Sequence, residues 1–337
     1  MRHKFPPLVV LSITLFIFLS ACGLLDGNSS TFDAGPILFI SDKSGSQQLY
    51  SMNEEGDNIT QLTDDPNFPI YEAKWSPDGT KIAVISRVGS KDTYSDFRRA
   101  IFVMNADGSN RRQITTQWKN IDDSNWGKIT YGGAWYIAWS PDSKKITYSR
   151  LMAPEALGSF DVFLVNIDGT NEKRITSNLS LTERVTDWAK DETYYWGYIT
   201  DHAEDSTGTA IQYTRLVTID KDGEVIKSWG EPGEAWQWPI ISQNGDKISY
   251  IYVNEMHQRN LFQMDLNGSD QFDLTKGKCK YPRPISWLAD DSQILLHCFE
   301  GELLQGGRVL ILNIETSEIK DITPFEEGYT LTTSWRN

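Results

Sequence analysis

Two of the four histidines in the 337-residue chain stand where side chains could do chemistry. His202 follows Asp201 and precedes Glu204 and Asp205, and His257 stands between Glu255 and Arg259. Imidazole and carboxylate together form the donor set of a divalent metal, and a metal beside a histidine base could serve a lyase. His202 and His257 are thus the catalytic candidates, provided the fold brings two distant segments together. His297 lies in an apolar run and reads as a core residue. The chain has no G-x-S-x-G elbow and no H-E-x-x-H pair, so the local signatures of a serine hydrolase and a zincin are missing. The expectation is a protein without a cofactor and without catalysis; the alternative is a divalent metal at the two histidines.

A second set of residues suits binding. Segment 117–136 interleaves Trp118, Trp126, Tyr131 and Trp135 with Asp122, Asp123 and glycines, and Trp236 and Trp238 open another strand. Aromatic rings beside polar groups serve either as a protein hot spot or as a platform for sugar rings. With His202, His257 and Arg259 they form the candidate binding face.

The elements that must position these residues come from a repeat. Short strands at Lys81–Ser86, Lys145–Ser149 and Lys247–Tyr252 are each preceded by a strand ending in an apolar residue and a tight turn. The apolar ends are Trp75, Trp139 and Ile241, and the turns are Ser76-Pro77-Asp78-Gly79, Ser140-Pro141-Asp142-Ser143 and Ser242-Gln243-Asn244-Gly245. Pro presets the turn, while Asp, Asn and Gly tolerate its reversal. A second turn recurs as Asn105-Ala-Asp-Gly108 and Asn166-Ile-Asp-Gly169, and a third strand ends in Ile/Leu-Thr at Thr63, Thr115, Thr176, Thr275 and Thr323. Successive copies lie about 50 residues apart, the spacing of propeller blades. Trp75, Trp139, Trp188, Trp287 and Trp335 share one register and read as packing.

The motif Trp-Ser-Pro-Asp-Gly-x-Lys-Ile-Ala, followed by Asn-x-Asp-Gly and Ile-Thr, resembles the TolB-type WD40-like repeat. The resemblance spans 37–337 and implies an all-β, six-bladed β-propeller with four-stranded blades. The repeats start at Ile37 on a second strand and stop after an inner one, so the ring is expected to close by pairing the C-terminal strand with the N-terminal blade. The tight turns then share one rim. The long connections, among them 87–100, 116–134, 150–160, 200–214, 253–260 and 299–307, share the other, which is the expected working face. The resemblance implies an envelope-protein partner. A peptide or glycan on the same face, or a polysaccharide lyase, are the alternatives. TolB-type proteins carry an α/β domain before the propeller; here a short tether stands in its place.

Residues 1–21 read as a secretory signal, with Arg2 and Lys4 before the apolar run Leu8–Leu19. Leu19-Ser20-Ala21-Cys22 resembles a bacterial lipobox, which implies cleavage and lipidation at Cys22. Residues 22–36 then form a flexible Gly/Ser/Asp-rich tether. The expected location is extracytoplasmic: the outer membrane in a cell with two membranes, given Gly23 after the cysteine, and otherwise the outer face of the cytoplasmic membrane. A net charge of −14 argues against nucleic acid and leaves the anchor as the sole membrane contact. A monomer is expected. Cys279 and Cys298 are a disulfide candidate in an oxidising compartment, with two buried thiols as the alternative.

Overall fold

The structure, a computed structural model, describes residues 35–88, 99–115, 120–123, 127–130, 133–151, 160–177, 182–204, 208, 210–254, 256–299, 307–325 and 330–336. At 120–123, 127–130, 182–183, 202, 210–211, 330–333 and 335 it describes the backbone alone. The described residues are all-β, without a helix.

The strands are β1 (Ile37–Ser41), β2 (Gln48–Met52), β3 (Thr60–Gln61), β4 (Ile70–Trp75), β5 (Lys81–Arg87), β6 (Arg99–Asn105), β7 (Arg112–Gln113), β8 (Asn120–Asp123) and β9 (Gly127–Thr130). There follow β10 (Ala134–Trp139), β11 (Lys145–Leu151), β12 (Phe160–Asn166), β13 (Lys173–Arg174), β14 (Thr182–Trp188), β15 (Tyr194–Glu204), β16 (Ala210–Asp220), β17 (Val225–Trp229) and β18 (Ala235–Ile241). The last are β19 (Lys247–Val253), β20 (Arg259–Asp265), β21 (Phe272–Asp273), β22 (Tyr281–Trp287), β23 (Gln293–Phe299), β24 (Arg308–Asn313), β25 (Ile319–Asp321) and β26 (Thr330–Trp335). Four-stranded sheets form in the orders β26-β1-β2-β3, β4-β5-β6-β7, β10-β11-β12-β13 and β22-β23-β24-β25. A larger sheet runs β14-β15-β16 and then β18-β19-β20-β21, joined by the single parallel pair Thr214↔Ala235, with β17 also on β16. β8 and β9 pair only with each other. The sheets stack face to face in a propeller-like arrangement.

Each recurring residue of the sequence has a local task. Ser76 Oγ donates to Asp78 Oδ1 at 2.6 Å and accepts the Lys81 N–H at 3.0 Å, which locks the Ser-Pro-Asp-Gly turn. Ser140 repeats this with Asp142 and Lys145. The threonine after each outer strand accepts an N–H near the start of the strand beside it. Thr63 Oγ1 accepts from Leu49, Thr115 from Ile101, Thr176 from Val162, Thr275 from Leu261 and Thr323 from Val309, all at 2.9–3.1 Å. A buried N–H without a partner would cost about 1–3 kcal/mol, which explains the repeated threonine. The register tryptophans reach backwards between sheets: the indole N–H of Trp75 donates to Pro36 O, that of Trp139 to Lys74 O and that of Trp287 to Ile240 O.

Side chains leave both faces of the central strands into apolar neighbours. On β1, Leu38 and Ile40 pack with Ala73, Trp75, Ile82 and Val84, while Ile37 and Phe39 pack with Leu295, Val309 and Ile311. This is why such strands read as unbroken apolar runs rather than as alternation. β26 pairs antiparallel with β1, Ile37 opposite Trp335. The hairpin turn between second and third strands wedges against the preceding sheet. A Cβ on Gly108 would stand 2.1 Å from Leu62 O, and one on Gly56 2.7 Å from Ile322 O.

Two segments differ from the sequence reading. The connection 200–214 is largely strand: β15 and β16 stay paired as far as Glu204↔Ala210, so Asp201 and the His202 backbone lie in a ladder. Segment 116–134 contains the β8–β9 hairpin. Neither long alternation nor a turn signature marks these stretches, which left no cue for strand. Cys279 and Cys298 form a disulfide with Cα atoms 5.7 Å apart. Cys298 sits opposite Pro282, and Cys279 approaches from the turn before β22.

Candidate functional site

β4, β10, β14, β18 and β22 line a central channel. All five break register along their length, between Ile70 and Glu72, Trp135 and Ile137, Val185 and Asp187, Gln237 and Ile240, and Pro284 and Ser286. Such bulges re-aim the extra residue out of the ladder. The residues so released, Tyr71, Tyr136, Thr186, Trp238, Pro239 and Ile285, all line the channel.

Two of them are strained. Tyr136 and Trp238 hold φ of 53° and 56°, a left-handed conformation that bulky side chains adopt rarely and at a cost of about 1–3 kcal/mol. Glu72 stabilises the first by accepting the N–H groups of Tyr136 and Ile137 at 3.1 and 3.2 Å. The two rings meet edge to face at 5.5 Å, and Tyr198 packs on Trp238 at 5.6 Å. Behind them Arg184 lies 5.3–5.4 Å from the rings of Tyr136, Phe160 and Tyr198 and donates to the Tyr198 hydroxyl at 3.2 Å. Burial opposes the Arg184 charge, yet Tyr198 and Tyr136 outweigh it and its pKa is raised. Burial first, then Tyr136, also holds the Tyr198 hydroxyl well above its usual range.

The channel opens into a cavity of about 280 Å³ whose lining includes Tyr71, Glu72, Arg99, Trp135, Tyr136, Trp238, Arg259, Tyr281 and Arg283. Its cations lie on its rings. Arg99 stands 4.2 Å from Tyr71 and 3.7 Å from Trp135, Arg283 4.4 Å from Trp238, and Arg259 5.6 Å from Tyr281. This mouth is on the rim of the long connections; the Ser-Pro-Asp-Gly turns follow the opposite ends of the same strands. Deeper in, a polar crossbar spans the channel: Lys74 Nζ donates to Thr186 O at 3.2 Å, and Thr186 Oγ1 to Pro239 O at 2.7 Å.

Among the residues singled out in the sequence, Trp135, Trp238 and Arg259 come together in this cavity. Trp236 does not: it is buried, stacked on Tyr250 at 4.7 Å, and donates to Glu234. His257 is an exposed turn residue with φ of 59°. Cys22, Trp118, Trp126, Tyr131 and Glu255 lie outside the described residues, as does the His202 side chain. No group of three His, Cys, Asp or Glu that could hold a metal occurs among the described residues. Sequence reasoning missed Glu72, Arg99, Arg184 and Arg283. A signal was present: Glu72, Tyr136, Arg184 and Arg283 are each the third residue of a channel strand, and Arg99 and Arg259 each open the strand after a long connection.

No protein-family profile matches the chain. A TolB homologue of Chlorobium luteolum is 26% identical over 155 residues, 46% of this chain and 29% of that protein. The match thus spans less than a third of the length of that curated relative. TolB from Acinetobacter baumannii superposes with a TM-score of 0.63 at 18% identity, over 89% of this chain and 67% of that one. A putative TolB from Agrobacterium tumefaciens gives 0.57 at 12% identity, over 88% and 96%. In sequence across just under half of its length and in fold across most of it, the chain carries a TolB-like β-propeller.

Proposed function

We propose that the protein is a non-catalytic, lipid-anchored, extracytoplasmic propeller that binds an envelope partner at the channel mouth. One observation carries the binding site: arginines laid on aromatic rings, gathered at one cavity of a protein with a net charge of −14. Arg, Trp and Tyr are the residues that dominate binding hot spots, and the strained Tyr136 and Trp238 mark a place where local stability gives way to function. The TolB likeness supports an envelope protein as the partner.

The propeller is read as a six-bladed closed ring over 37–337. The single parallel pair between β16 and β18 supports dividing the larger sheet in two, and the β1–β26 pairing supports closure. Capture from detergent-solubilised envelope tests the site. The full chain should retain a partner that the charge-reversed variant Arg259→Glu/Arg283→Glu loses; equal recovery by both overturns the assignment. The anchor rests on Leu19-Ser20-Ala21-Cys22. Cys22→Ser should abolish labelling by a radioactive fatty acid and release the protein from the membrane fraction. Undiminished labelling removes Cys22 as the anchor.

A further inference from the structure

The cavity has features that a general docking face does not require. Arg259 and Arg283 lie over Tyr281 and Trp238, and no acceptor among the described residues takes their N–H groups. Stacking uses the face of a guanidinium and leaves its in-plane donors, whose fork matches a carboxylate. The carboxylate in the cavity, Glu72, is engaged by the amides of Tyr136 and Ile137. An anion is disfavoured near most of so acidic a surface and favoured where cations converge.

The same cavity is poorly made for an extended peptide. A peptide strand binds a sheet by pairing with an exposed edge, and bulges and prolines defeat such pairing. Each of these five channel strands is bulged. Pro239, Pro282 and Pro284 have no N–H to offer, and those of Tyr136 and Ile137 are taken by Glu72. What remains is recognition by forked cations and apolar ring surfaces. The crossbar of Lys74, Thr186 and Pro239 below favours a chain end over a chain passing through.

We infer that the mouth holds the carboxylated terminal ring of an acidic oligosaccharide. Arg259 and Arg283 take the carboxylate, and Trp238 and Tyr136 cover the C–H surface of the sugar. The inference rests on the reading of this mouth as the working face, and gives that face a saccharide ligand in addition to the envelope protein.

Calorimetric titration of the full chain with trigalacturonate, its methyl ester and triglutamate tests it. Trigalacturonate should saturate the protein, and the uncharged ester and the acidic peptide should each bind at least about tenfold more weakly. Arg283→Gln and Arg259→Gln should each weaken trigalacturonate by about tenfold or more, the loss expected for a charge-assisted hydrogen bond. Arg259 is exposed, so its replacement reports on binding even if Arg283→Gln unfolds. Absence of saturation, equal binding of the ester, tighter binding of triglutamate, or indifference to both replacements overturns the inference. If the titration fails while envelope capture remains sensitive to Arg259→Glu/Arg283→Glu, the ligand class is wrong and the docking face stands. If capture is also insensitive, both fall.

Discussion

Gly108→Ala should lower the unfolding free energy by roughly 2–5 kcal/mol, among the larger losses any single substitution here could cause. Two costs combine. Gly108 holds φ of 82°, and its Cβ would stand 2.1 Å from the carbonyl oxygen of Leu62 in the neighbouring sheet. Backbone cannot yield as a side chain end can, so the turn must withdraw from the sheet it wedges against. Gly45 separates the two costs. Its φ is 94°, and a Cβ there meets nothing within 4 Å. Gly45→Ala should therefore cost only about 1–2 kcal/mol, the penalty for left-handed backbone alone. Urea denaturation followed by tryptophan fluorescence gives both values. Equal losses at the two positions would mean that the approach to Leu62 does not hold the sheets together.

The second large effect is on the acid side of the stability profile. His297 is fully buried on β23 with Phe299 at 4.1 Å between ring centroids, and Gly307 packs so close that a Cβ would stand 2.5 Å from Nε2. Burial first, and the Arg283 charge after it, depress its pKa from 6.5 to about 4, although the Gly307 backbone works the other way. The unfolded chain therefore binds a proton that the folded one refuses between those two values. Stability is intact above pH 6.5 and declines as pH falls to about 4, by about 3 kcal/mol in all. His297→Gln, which cannot be protonated, should flatten that stretch of the curve. A wild-type profile that is level from pH 7 to 4 would mean the imidazole is charged in the fold. Below that window a different group acts. The Ser or Thr two residues on lowers the pKa of Asp107, Asp168, Asp191 and Asp290 through its hydroxyl and then its N–H. Their contribution is present above the ordinary carboxylate value of 3.8 and is lost as pH falls further.

Residues with purely local tasks were legible from the sequence. A threonine that caps the strand beside it, a serine that bonds the aspartate two positions on, and a glycine at a tight reversal each leave a short, repeated signature. The tryptophans were legible for the same reason, although the carbonyls they reach, such as Lys74 O for Trp139, were not. The cavity is another matter. Tyr71, Tyr136, Trp238 and Arg283 come from four strands far apart in the chain, and their convergence depends on bulges that no spacing announces. Trp236 and Trp238, two residues apart, show the difficulty: period-two alternation puts both on one face, but the break in register after Gln237 leaves Trp236 in the core and turns Trp238 into the channel.

The pairing of β26 with β1 also governs how the chain reaches its folded state. While the protein is being made, Ile37–Ser41 emerges early and finds β2 at once, but its other edge must wait for Thr330–Trp335. Until then an apolar strand presents unsatisfied N–H and C=O groups to any passing chain, the kind of edge that templates aggregation. The contact that ends this exposure closes one of the longest loops available, which makes it intrinsically slow. A helper that shields β1 would therefore matter most in the interval between synthesis of the first strand and arrival of the last.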